Sequence, residues 1–167
     1  MLGLSNIWKD YNKISKEWLK STLKLRLKDI HFQNWHDMTN NNSLCLNYRI
    51  FKTLPELEFY QKNLSLCHRI SLAKFRCGNH RLPVVSGRYS HTDLQNRLCY
   101  LCNERKIGDE FHYLFECKVF INERKLYLKR NYRIRPNTSK MHSLFNSTSI
   151  DELVRLAKFC KIIMLRF

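Results

Sequence analysis

Cys99 and Cys102 stand two residues apart, His112 follows after nine more and Cys117 after a further four, a C-x2-C-x9-H-x4-C set. Three thiolates and one imidazole can fill a tetrahedral Zn²⁺ shell, because a two-residue gap lets both sulfurs of a tight turn point at one ion. Four protein ligands would close the coordination sphere, which makes the metal structural rather than catalytic. Gly108 and Asp109 read as a turn and a helix N-cap, starting a helix that carries His112. On an ideal α-helix Cys117 lies about 140° around the axis from His112. The helix must therefore tighten, loosen or end near Cys117. The alternative is a set of ordinary buried thiols and a core histidine, which 7 Cys in 167 residues allow. Cys67, Cys77 and His68 lack a comparable tight pair and are not taken as a second site.

The run R-L-C-Y-L-C-N-E-R-K-I-G-D-E-F-H-Y-L-F-E-C, preceded by K-F-R-C-G-N-H-R-L-P-V-V-S-G-R-Y, resembles the region C-terminal to the polymerase in non-LTR (LINE-type) retrotransposon reverse transcriptases of invertebrates. The similarity extends from L-R-L-K-D-I-H-F-Q-N-W through Y-R-I-F-K to A-K-F-C-K-I-I and is strongest between Lys74 and Cys117. A proline often follows the last cysteine in such proteins, whereas Lys118 stands here. The resemblance implies a zinc-binding part that grips template RNA or target DNA without doing chemistry itself. The parent would be an RNA-directed DNA polymerase, and the polymerase part of that polyprotein a further partner.

With 30 Lys and Arg against 14 Asp and Glu, the net charge of +16 makes a polyanion the leading class of partner. Hydrophobic residues make up 44% of the chain, enough to bury a real core. No window approaches the roughly 20 apolar residues of a membrane span, and the N-terminus lacks the apolar stretch of a signal peptide. The expectation is an intracellular, reducing setting, nucleus or cytoplasm, where C-x2-C means metal more often than disulfide.

The elements that must position these groups are helical. Leu4, Ile7, Tyr11, Ile14, Trp18 and Leu25 recur at helical spacing, predicting an amphipathic helix through about Asp29. Its other face carries Lys9, Lys13, Lys16, Lys20, Lys24 and Lys28, which is either a phosphate-tracking edge or a solvated face. The pattern loses its period from His31 to Asn42, predicting a loop and a soft boundary. Tyr48–Leu54 is expected to be extended, Pro55 to start a helix through Ser65, and Leu66–Arg76 to form another. A helix after the knuckle runs to about Arg130, and Ser149 with Glu152 forms a capping box for a last helix using Leu153, Ala157, Cys160 and Met164. The fold class is mainly α, a small helical domain with an embedded Cys-Cys-His-Cys zinc knuckle. Its regions are 1–42, an N-terminal amphipathic helical stretch; 43–135, helices, basic loop and knuckle; and 136–167, a C-terminal helical stretch, unless all form one domain.

Between helix and knuckle, C-G-N-H-R-L-P-V-V-S-G-R-Y is expected to be a shaped loop. Guanidinium groups fork onto phosphates and an aromatic ring stacks on an exposed base. Arg76, His80, Arg81, Arg88 and Tyr89, with Arg97 and Lys106 beside the knuckle, are thus the candidate nucleic-acid contacts. The alternative is a connector whose arginines cap helix ends. Chemistry is expected to be absent: no Asp-Asp pair occurs, and Asp109–Glu110 and Asp151–Glu152 sit where helix N-termini want negative charge. Three readings compete: a nucleic-acid-binding module, a zinc-stapled protein-interaction adaptor, and a small His-metal nuclease using Asn79 and His80.

Overall fold

The computed structural model of the chain describes residues 14–41 and 47–167. Leu4, Ile7, Lys9, Tyr11 and Lys13 lie outside the described residues. Two units divide the chain, Met1–Asn41 and Asn42–Phe167. The described residues are mainly α-helical, and pairing of extended backbone among them is limited to a single antiparallel bridge, Leu98 with Ile107.

In the first unit, helix α1 spans Lys16–Asn41 without a buried residue. The expected loop over His31–Asn42 is thus helical through Asn41, a correction with a local cause. The polar residues that blur its periodicity bond back along the helix: Thr39 Oγ1 donates to the His36 carbonyl at 3.0 Å, and Asn40 Nδ2 lies 2.7 Å from His36 Nδ1. Lys16, Lys20, Lys24 and Lys28 are exposed along α1, as are Trp18, Leu25 and Met38.

The second unit is built around α9 (Ile150–Met164). Ser149 Oγ accepts from the Glu152 backbone N–H at 3.4 Å, the N-cap the sequence predicts. Leu153, Leu156, Ala157, Phe159, Cys160 and Ile163 are all fully buried, so this helix is the axis of the core. Around it pack α3 (Phe59–Asn63), α4 (Leu66–Arg76), α6 (Ile121–Tyr127) and α8 (Thr138–Phe145). Asn137 Oδ1 caps α8 through the Lys140 N–H at 2.9 Å. A short α7 (Arg130–Arg133) links α6 to α8.

Two further expectations are corrected here. Tyr48–Phe51 is a helical turn, α2, whose Phe51 ring lies 4.4 Å from Phe145; burying that aromatic outweighs the β-leaning composition. The helix expected at Pro55 begins later, because Glu58 and Gln61 form the capping box that starts α3 at Phe59. Helix α4 ends where predicted. Its last residue, Arg76, is 2% exposed: Nη2 donates to the Phe51 carbonyl at 2.8 Å and to Glu58, and the guanidinium sits 4.9 Å from the Tyr60 ring centre. Arg76 therefore staples α2 and the start of α3 to α4.

Candidate metal centre

Residues 97–109 fold back on themselves. Gly108 N–H donates to the Arg97 carbonyl and Cys99 N–H to the Lys106 carbonyl, both at 2.8 Å, which closes a tight hairpin with Cys99 and Cys102 at its tip. Gly108 must be glycine for a steric reason. A Cβ there would stand 2.8 Å from both the Pro83 ring and the Tyr113 hydroxyl. Asp109 follows as the cap, its Oδ1 accepting from the His112 N–H at 2.8 Å, while burial pushes its carboxyl up to about 6. The next five residues, His112–Glu116, form a π turn, and the Cys117 N–H donates to the His112 carbonyl at 2.7 Å. That i→i+5 turn is how the helix loosens: it brings residues five apart back toward one side, removing the roughly 140° conflict of a regular helix.

The result is one cluster. A donor atom from each of Cys99, Cys102, His112 and Cys117 lies within 4.8 Å of the others, so the group can hold a metal ion. Cys99 and Cys117 sulfurs are 4.0 Å apart, and Cys102 Sγ is 3.4 Å from His112 Nε2. His112 turns its other nitrogen, Nδ1, to Glu116 Oε2 at 3.4 Å, and Glu116 is held by Lys106 at 3.1 Å. A carboxylate behind the imidazole fixes the ring so that Nε2 faces the sulfurs.

The four groups differ electrostatically. Burial raises the Cys99 thiol, yet the Tyr113 hydroxyl and the backbone N–H groups of Cys102 and Leu101 hold it below its usual range. Burial first, then the neighbouring sulfurs, pushes Cys117 up to about 12. Burial also keeps His112 below its ordinary value and hence neutral, the state a ligand needs. Tyr113 Oη is buried and directed at the Cys99 sulfur. A metal thiolate at Cys99 would accept its proton far better than a thiol does. The donor set fits a metal-bound state.

Arg124 completes the support, and sequence reasoning passed it over. Its buried guanidinium donates from Nε to the Leu114 carbonyl and from Nη2 to the Cys117 carbonyl, both at 2.9 Å. These are backbone acceptors that the end of the π turn leaves open. The only signal in the sequence is a basic residue seven beyond Cys117, which nothing distinguishes from its solvated neighbours.

The candidate nucleic-acid contacts fare unequally. Arg76 is buried as described, so it is withdrawn as a surface contact. His80 is withdrawn too: its side chain is 0% exposed and its Nε2 lies 3.0 Å from Oε1 of Glu110, whose Oε2 accepts from Asn47. Arg97 is a brace, donating to the Thr92 and Val84 carbonyls at 2.8 and 2.9 Å. The expected loop over residues 77–89 is not a loop throughout, because Pro83 at the first turn starts α5 (Pro83–Tyr89), with Val84 and Val85 buried. Arg81 and Tyr89 are exposed, Arg88 is half-buried with its guanidinium 5.5 Å from the Tyr89 ring, and Lys106 is exposed beside Glu116.

Glu116→Gln should weaken metal binding about 10- to 100-fold, by loosening the His112 ring. Competition against a chromophoric chelator measures it, and an unchanged affinity would show that Glu116 does not orient the ligand.

No family model, curated protein or solved structure matches the chain. Among the described residues no helix is long and apolar enough to cross a membrane.

Proposed function

We propose that the metal is Zn²⁺ and that the chain is a non-catalytic nucleic-acid-binding module stapled by it, the C-terminal part of a retrotransposon-type reverse transcriptase. Three thiolates and a neutral imidazole are a zinc donor set. Zinc–sulfur bonds of about 2.3 Å place tetrahedral sulfurs about 3.8 Å apart, close to the observed 4.0 Å. All four positions are taken by protein, so the ion is a staple.

The observation that carries binding is charge. A net +16 on 167 residues far exceeds what solubility asks of a domain this size, and Arg81, Arg88, Tyr89 and Lys106 stand at or near the surface around the metal hairpin. An Arg81→Ala, Arg88→Ala variant should bind RNA and DNA more weakly across sequences. Each lost phosphate contact should lower the logarithmic salt slope by roughly 0.7 to 0.9, with the metal retained. A titration in which this variant matches wild type over a salt series would remove these residues from the interface. An open reading frame with a polymerase palm directly upstream in the genome would test the parentage. The adaptor reading draws on a different observation, the exposed Trp18, Leu25 and Met38 of α1, and takes the lead if wild type binds no nucleic acid near physiological salt.

A further inference from the structure

An open groove of about 570 Å³ lies between α4 and the C-terminal end of α9. Lys74 and Arg81 come to it from the α4 side and Lys161 from α9, all exposed and without an acidic partner among the described residues. The helical period explains the convergence: Ile70 and Lys74 are four apart on α4, and Lys161 and Met164 share a face of α9, with Leu165 following at its end. Between the cations Ile70, Met164, Leu165 and Phe167 supply apolar surface, Ser71, Asn79 and His80 add polar groups near Lys74 and Arg81, and none of the described residues lining the groove is acidic. Phe167 meets the ring of Tyr100 edge-on at 5.2 Å. Tyr100 is 66% exposed and directly follows the first metal-site cysteine, so the groove adjoins an open aromatic face on the hairpin.

We infer that this groove is the path of a single nucleic-acid strand, with phosphates on Lys74, Arg81 and Lys161 and a base against Tyr100. The inference rests on the nucleic-acid reading above and narrows it to single strands. A bare polyanion gains nothing from an apolar lining, and a duplex keeps its base faces stacked inside. A single strand presents alternating charge and flat apolar surface, which is the alternation this groove offers.

The test uses the metal-loaded chain, a short labelled single strand and a duplex of the same sequence, read by fluorescence anisotropy. Lys74→Glu with Lys161→Glu should cost single-strand affinity at least about tenfold. Lys62→Glu with Lys125→Glu, the same charge change outside the groove, should cost no more than about threefold. Tyr100→Ala should cost roughly tenfold for the strand and leave the duplex unchanged. Metal content and circular dichroism establish folding, and the milder Gln pair replaces the Glu pair if the latter unfolds. Equal losses for groove and control pairs overturn the groove while leaving nucleic-acid binding intact. Displacement of the strand by polyglutamate as readily as by unlabelled strand, or no effect of Tyr100→Ala, reduces the groove to a generic anion patch and overturns the inference. Binding of neither strand nor duplex at low salt overturns the groove and the broader reading together.

Discussion

On the proposed zinc reading, Cys102→Ser is expected to abolish metal binding and to unfold the hairpin and π turn together. Structural zinc is worth on the order of 10 kcal/mol near neutral pH, more than the whole stability of many domains. The loss should be local at first. Apart from metal ligation the Cys99–His112 segment is held by the Leu98–Ile107 bridge, the Asp109 cap and polar contacts such as Glu110 with His80, whereas Phe75, Phe145 and Phe159 bury a core of their own. Helical dichroism should fall only in part, while the metal content falls to zero. Acid should act in the same direction: protons compete for the ligands, and with burial pushing the Cys117 thiol up to about 12, a metal must displace its proton to solvent in order to bind. Affinity therefore falls as pH falls, and zinc binding in weak buffer should release protons. Elemental analysis and melting of Cys102→Ser decide it, and unchanged metal content and melting would end the zinc assignment.

Arg76→Ala should destabilise the second unit by about 3 to 5 kcal/mol, because it removes one partner of a buried pair. Glu58 then keeps a charge at 16% exposure with Lys52 no nearer than 4.0 Å, the Phe51 carbonyl loses its donor, and Tyr60 and Phe145 face a cavity. For a chain of this size the melting temperature should drop by roughly 10 °C or more. Arg81→Ala, only five residues on but exposed, should change stability by no more than about 0.5 kcal/mol. Calorimetry of the two variants side by side separates a structural arginine from a surface one. Equal melting temperatures would contradict the staple formed by Arg76.

These two arginines show where sequence reading stops. The metal ligands were legible because their spacing is a local property of the chain, and the start of α9 because a cap is written in four residues. Burial is written nowhere locally: Arg76 and Arg81 belong to the same basic run, and only the packing of Phe51, Tyr60 and Phe145 decides which one turns inward. His80 was misplaced for the same reason, its partner Glu110 being thirty residues away. The π turn was foreseen as a need to loosen, tighten or stop, but the choice depends on Arg124 taking the released carbonyls. Helix α1 outran its prediction because loss of hydrophobic period signals a missing core, not a missing helix.

The π turn also makes the number of residues between His112 and Cys117 a constrained quantity in its own right. A substitution at Glu116 changes how firmly the imidazole is held but leaves both ligands on one side of the axis. Gain or loss of one residue there swings the Cys117 sulfur by about 100° and moves it along the axis by about 1.5 Å, out of the cluster. Related chains should therefore tolerate changes of letter in this stretch more readily than changes of length, unless a deletion of one residue is matched by a return to a regular α-helical turn, with ligands four apart. A spacing template drawn only from regular helices would pass over this centre, and one that allows a single extra residue would find it.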